Sequence, residues 1–270
     1  MQSMLKIGKI NFANLFPIFH CLENDIHLNK TESYEIISGV PSYLNSLIRE
    51  GKIDVSPSSS IEYLRHAELY DLIKGHSVSS FGAIESILLF SADDIRNLGG
   101  KTVLVSVQSE TSVALLKVIL SEFYGITVNM EPSDAKLAEG LGTHPAYLLI
   151  GDNALIENRR SVRINKKIYI YDLGQLWYEH TGLPFVFALW IARKDCNRKL
   201  LSEFEFSLKR AKKQALSTLS EIALASPYPA EILSKEMLVS YWENISYDLT
   251  EKHMQGLKLF ESYIIKYEAI

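Results

Sequence analysis

Cysteine is scarce in this sequence: Cys21 and Cys196 are the only two among 270 residues. Neither sits in a CxxC pair or at ligand spacing to histidines, which excludes a zinc finger and a disulfide-stapled framework. A reduced, cytoplasmic protein is expected. Positive charge is also short, with 28 Lys and Arg against 32 Asp and Glu, a net charge of −4 and no basic block. Non-specific binding of nucleic acid therefore lacks its electrostatic support. No apolar run approaches the roughly 20 residues of a membrane-crossing helix. The start, MQSMLKIGKINFANLFPIF, lacks the basic region, apolar core and small-residue cleavage site of a secretory signal. No membrane partner is expected. Glycine-rich phosphate loops of the GxxxxGK[ST] or GxGxxG type do not occur, nor does a His/Cys/carboxylate cluster with ligand spacing. We expect no metal, nucleotide or other cofactor.

What is there is an ordinary globular composition, 47% hydrophobic and 22% charged. The length suits one large domain or two lobes. Strand and helix patterns alternate through the first two thirds. LKIGKI reads as a strand at Leu5–Ile10, followed by a helix at Asn14–Glu23, a strand at Tyr34–Ser38 and a helix at Pro41–Glu50 closed by Gly51. A buried strand at Ile53–Ser56 leads to a helix opening at Ser58–Ser60, where Ser59 and Glu62 form a capping-box pattern. GAIESILLFS and KTVLVSV read as strands, SETSVALLKVILSEFYG as an amphipathic helix and AYLLIGDNAL as a strand ending in Gly-Asp. From 199 onward the pattern is helical, at about 199–225, 230–243 and 249–268.

This alternation implies parallel sheets covered by helices. Two long apolar strands, Ala83–Phe90 and Phe185–Ala192, bracket a complete α/β unit. The expected fold is α/β and two-lobed, of the type-II periplasmic-binding-protein-like kind, with two crossing strands and C-terminal helices. Residues 1–90 and 188–270 make the first lobe and 91–187 the second. TGLPFVFALW is then the return crossing, with Thr181 and Gly182 at a ligand cleft. Small polar residues fall at the expected strand and helix ends: Asn11 and Asn14, Ser58–Ser60, Ser77, Ser79 and Ser80, then Ser109, Thr111 and Ser112. Helix N-termini bind anions without Lys or Arg. For any one of these serines an ordinary N-cap is the commoner role. Asp152, after Gly151, reads most simply as the cap of a helix beginning near Ala154.

In chain order, INFANLFPI, IDVSPSSSIEYLRH, SVSSFGAIESILLFS, SETSVALLKVIL, LLIGDNAL, YDLGQLW and TGLPFVFALW resemble the sequence blocks of the chorismate dehydratases, which serve the futalosine route to menaquinone. The resemblance spans about residues 5 to 193. It departs from the family at Phe12-Ala13, where Tyr-Leu is usual, and at Phe81, where a small or acidic residue is common. The resemblance implies a hydro-lyase that converts chorismate to 3-[(1-carboxyvinyl)oxy]benzoate and water. A monomer or homodimer is expected.

The ring becomes aromatic on losing one C–H and the vicinal hydroxyl, so orientation and proton removal carry the catalysis. No histidine or lysine stands in the matched blocks as an obvious base. His76, His144 and His180 read as structural or solvated. We therefore expect the side-chain carboxylate of chorismate to take the ring proton, with Asn14 and Ser80 as catalytic residues that hold the leaving hydroxyl. Ser59, Ser60, Gly82, Ser109, Thr111, Ser112, Asp152, Thr181 and Gly182 are the expected substrate contacts. Two alternatives are the sister dihydroxynaphthoate synthase, expected to carry a histidine base, and a cytoplasmic small-carboxylate binding protein of the same fold.

Overall fold

The computed structural model describes residues 4–28, 33–108, 110–163 and 168–267. In chain order the first elements are β1 (Leu5–Ile10), α1 (Phe16–Leu28), β2 (Tyr34–Gly39), α2 (Pro41–Arg49), β3 (Val55–Ser59), α3 (Ser60–Arg65), β4 (Tyr70–Ser80) and β5 (Ile87–Ser91). Next come β6 (Thr102–Ser106), α4 (Glu110–Val118) with a π-helical turn at Ile119–Phe123, β7 (Asn129–Ser133), α5 (Leu137–Thr143), β8 (Ala146–Ile150) and α6 (Gly151–Arg163). β9 (Tyr169–Asp172), α7 (Leu173–Thr181), β10 (Phe185–Arg193), α8 (Arg198–Ser217), α9 (Leu219–Leu224), α10 (Lys235–Asn244) and α11 (Glu251–Tyr267) complete the chain.

Two compact units result, one from the chain up to Val78 with Phe187–Leu249, the other from Ser79–Val186 with the chain beyond Thr250. The first unit is built on a five-stranded sheet ordered β2-β1-β3-β10-β4. β1 lies parallel to β2 from Leu5↔Tyr34 to Ile10↔Gly39 and parallel to β3 at Ile7↔Val55. β10 runs antiparallel to β3, with Leu189 opposite Ser58 and Ala188 opposite Ser59. Phe185 to Phe187 and Leu189 to Ala192 are buried, the nearly continuous apolar run of a strand covered on both faces.

The second unit has its own five-stranded sheet, β7-β6-β8-β5-β9. β6 pairs in parallel with β7 and β8, while β5 is antiparallel to both β8 and β9. Leu88, Phe90, Leu104, Tyr147 and Leu149 form its core on one face. α11 belongs here. A Cβ on Gly256 would lie 2.1 Å from the carbonyl oxygen of Pro184, so only glycine lets the helix backbone come this close. Phe260 then meets Phe185 edge-on at 4.8 Å and Trp177 at 6.1 Å, and Lys117 Nζ donates to Tyr267 O at 3.1 Å.

These findings correct the expected segmentation. The whole chain after 188 does not stay with the first unit, because α11 packs on the second. The strand expected at Ala83–Phe90 is shorter, beginning only at Ile87, and it lies in the second sheet. Beside β3, the neighbour of β10 in the first sheet is β4, a strand the sequence reading did not contain. Lys74, Gly75, His76 and three serines break its apolar pattern. The capping pattern at Ser59 and Glu62 is present, with Ser59 Oγ accepting from Glu62 N at 3.4 Å.

Candidate functional site

In the first unit the polar residues gather at the carboxyl end of β1 and β3. Beyond β1 the chain turns at 12–16, where Leu15 N donates to Phe12 O and Phe16 N to Ala13 O. Two aromatic side chains from the C-terminal part of the chain hold this turn. Trp242 Nε1 donates to Ala13 O at 2.7 Å and Tyr247 Oη to Asn14 O at 2.6 Å. Burial raises the Tyr247 pKa well above its ordinary value, so the hydroxyl stays a donor. The backbone of Asn14 is fixed in this way, while its side-chain Oδ1 is buried with no hydrogen-bond partner among the described residues. Trp242 and Tyr247 were missed by sequence reasoning. Their signal is an amphipathic aromatic in an otherwise polar helical tail, which must find a partner for its polar tip.

Ser58, Ser59 and Ser60 follow at the end of β3, all buried. Ser59 Oγ caps α3 and also accepts from Asn45 Nδ2 at 2.8 Å, so what it has left to offer a ligand is its own O–H. Ser58 Oγ is buried without a partner among the described residues. Glu62 behind them is held by Arg49 Nη2 at 2.5 Å and Tyr70 Oη at 2.7 Å. A buried carboxylate needs such partners.

In the second unit Ser80 is fully buried and its O–H donates to Gly82 O at 2.7 Å. Gly82 has φ +125°, and Phe81 beside it is exposed and meets the His253 ring edge-on at 5.0 Å. Thr111 and Ser112 occupy the first turn of α4 and are buried, as the SETS pattern predicts. Ser109 lies outside the described residues. α6 begins at Gly151, whose N–H donates to Ser86 O at 2.7 Å, earlier than the expected start near Ala154, so Asp152 stands inside the first turn.

Thr181 and Gly182 stand at the end of α7. Gly182, at φ +67°, is the left-handed end of α7 and donates its N–H to Tyr178 O at 2.8 Å. Thr181 Oγ1 donates to Trp177 O at 2.8 Å and accepts from Leu183 N at 3.1 Å. Both residues close a helix C-terminus, whose carbonyl dipoles repel a carboxylate.

The histidines have structural surroundings. Burial pulls the pKa of His76 down to about 4, with Lys212 adding to the effect. His180 stacks on Phe123 at 4.4 Å and its Nδ1 bonds Leu176 O at 2.8 Å. His144 lies 3.8 Å from Glu131. A residue given no role in the sequence reading, Asp172, is the N-cap of α7 and also accepts from the backbone of Ile84 and Glu85. Burial pushes its carboxyl pKa up, and its backbone hydrogen bonds pull the other way. Asp before Leu-Gly at a strand end signals the cap. The second set of donors, far away in sequence, has no local signal.

The family model described as menaquinone biosynthesis matches residues 5–266. A chorismate dehydratase of Thermus thermophilus is 31% identical over 267 residues, covering 94% of this chain and 93% of the relative. The 1,4-dihydroxy-6-naphtoate synthase of the same organism is 24% identical over 72% of this chain and 68% of its own. Among solved structures, an Archaeoglobus fulgidus protein superposes with a TM-score of 0.77 at 18% identity, covering 99% and 98% of the two chains. The periplasmic aliphatic sulphonate binding protein SsuA of Escherichia coli gives 0.63 at 11% identity over 100% and 94%. Those likenesses show the fold, which is periplasmic-binding-protein-like. Motif blocks, full-length family match and relative agree, and the chain belongs to the chorismate dehydratase family of menaquinone biosynthesis.

Proposed function

We propose that the protein dehydrates chorismate to 3-[(1-carboxyvinyl)oxy]benzoate, a hydro-lyase step on the futalosine route, in the cytoplasm. One observation carries this reading: the 31% identity to a chorismate dehydratase across 94% of the chain, against 24% across 72% for the naphthoate synthase.

The reaction removes a proton from the ring carbon bearing the enolpyruvyl ether and hydroxide from its neighbour. The two leave together as water, and the ring becomes aromatic. The enolpyruvyl carboxylate of the bound substrate takes the proton and passes it to the departing hydroxide, so that water leaves and the carboxylate is restored. Asn14 Oδ1, buried and unpartnered, accepts from the ring hydroxyl and sets its orientation. Thr111 and Ser112, in the first turn of α4, hold a substrate carboxylate with the help of the helix dipole. Ser80 holds the substrate through its Oγ, its own O–H being engaged by Gly82 O.

Purified protein incubated with chorismate should release a benzoate, followed by ultraviolet absorbance and identified by mass spectrometry. No product, with chorismate bound but unchanged, would leave the small-carboxylate binding protein as the better reading. No binding at all would favour the sister enzyme.

A further inference from the structure

Asp172 does more than an N-cap requires. Its Oδ1 accepts from Gly174 N at 2.9 Å and Gln175 N at 3.1 Å, which satisfies the start of α7. Its Oδ2 accepts from Glu85 N at 2.6 Å, and the two oxygens share Ile84 N, at 3.0 Å from Oδ2 and 3.1 Å from Oδ1. One carboxylate thus ties a helix start to a turn that lies 87 residues earlier. That turn is conformationally expensive. Glu85, at φ +61°, is the only non-glycine residue in the left-handed region among the described residues, and Gly82 precedes it at φ +125°. A side chain in that region costs on the order of 1 kcal/mol and persists where its surroundings hold it.

Gly82 is also where Ser80 is held, through Ser80 Oγ to Gly82 O at 2.7 Å. The helix presses on the same two atoms. A Cβ on Gly174 would sit 2.6 Å from Gly82 O and 2.7 Å from Ser80 Oγ. The chain of contacts therefore runs from Asp172 to the Ile84–Glu85 amides, along the backbone to Gly82, and from there to Ser80.

We infer that Asp172 is a positioning residue: by clasping the Ile84 and Glu85 amides it fixes the turn that sets Ser80 for turnover. The inference rests on the chorismate dehydratase reading and adds to it a residue outside the substrate's own contacts.

The test is Asp172→Asn in the full chain, assayed on chorismate beside the wild type. Asparagine keeps an oxygen for Gly174, Gln175 and Ile84 but turns an N–H2 toward the Glu85 amide, so the cap survives and the Glu85 half of the clasp is lost. We expect kcat to fall by about 10- to 100-fold with KM changed little, the mark of a displaced group. Ser80→Ala should lower kcat too, and the double variant should be no slower than Ser80→Ala alone, because the aspartate acts through the serine. Gly174→Ala, which leaves Asp172 intact and crowds Gly82 O and Ser80 Oγ directly, should give the same kcat loss and serves if Asp172→Asn does not fold. A purely structural aspartate gives the opposite set: a lower Tm, unchanged kcat per folded molecule, and losses that multiply in the double variant. That set overturns the inference while the function stands. A wild-type chain that makes no benzoate overturns both.

Discussion

Asn14 carries a buried acceptor with no partner among the described residues, a state that costs roughly 1–3 kcal/mol in a folded protein. Such an atom is explained if a ligand hydroxyl completes it. Asn14→Ala should therefore lower kcat on chorismate by about 100-fold or more while leaving Tm unchanged or slightly higher. A variant with near-wild-type turnover would remove Asn14 from the catalytic set. His76 makes a different kind of prediction. Its pKa of about 4 lies below the ordinary value because the imidazole is buried, with Lys212 and Lys209 opposing its protonation and Asp248 favouring it. Between about pH 6.5 and 4 the unfolded chain takes up a proton that the folded chain refuses. Stability is then lost as pH falls through that window and is retained above it. His76→Gln should flatten the decline, read from urea midpoints at pH 7 and pH 4.5. Equal slopes for both proteins would show that other groups set the acid sensitivity.

Helices α4 and α11 set the second unit's behaviour at the level of elements. α11 approaches Pro184 so closely that Gly256→Ala places a methyl 2.1 Å from a backbone oxygen. The expected loss is about 1–3 kcal/mol, visible as a lower Tm. An unshifted Tm would mean that the helix is not held against Pro184 in solution. α4 opens with Thr111 and Ser112, whose hydroxyls and helix dipole suit an anion. Thr111→Val keeps the shape and removes the hydroxyl, so the KM for chorismate should rise about tenfold, one charge-assisted hydrogen bond. A lower Tm with unchanged KM would assign Thr111 to packing and move the carboxylate to the serines at the end of β3. How far these elements were legible depends on their surroundings. β1, α2, β8 and β10 show in the apolar pattern because each buries a continuous face. β4 does not, since five of its eleven residues are Lys, His or Ser and its place comes from pairing with β10. Residues 83–86 carry a strand-like pattern but form a turn, because the amides at 84 and 85 bond Asp172 and not a neighbouring strand.

For the whole molecule, the expectation concerns metals. The sequence has no ligand spacing, and among the described residues no group of three or more His, Cys, Asp or Glu is placed to hold an ion. Turnover should survive exhaustive EDTA treatment without added divalent metal. Activity that returns only on adding one would contradict the proposed mechanism. The two-unit division itself has a mixed origin. That the chain leaves one α/β unit and returns follows from repeated strand–helix alternation, but where it leaves does not. The passage falls within β4 and β10, and the last helix joins the second unit.

Periodicity and ordered motif blocks were enough to establish the α/β class, the two-unit plan and the family, because burial of alternating faces is a local demand that each segment writes into its own residues. The standing of individual polar groups was settled only on folding. Ser59, Ser80 and Thr181 look alike as small hydroxyls near element ends. One caps a short helix, one bonds a glycine carbonyl in a turn, and one closes a helix C-terminus. Asn14 keeps an unpartnered oxygen because Trp242 and Tyr247 take the carbonyls of its turn. A hydrogen bond needs only distance and direction, and partners more than two hundred residues apart leave no trace in the pattern of either segment.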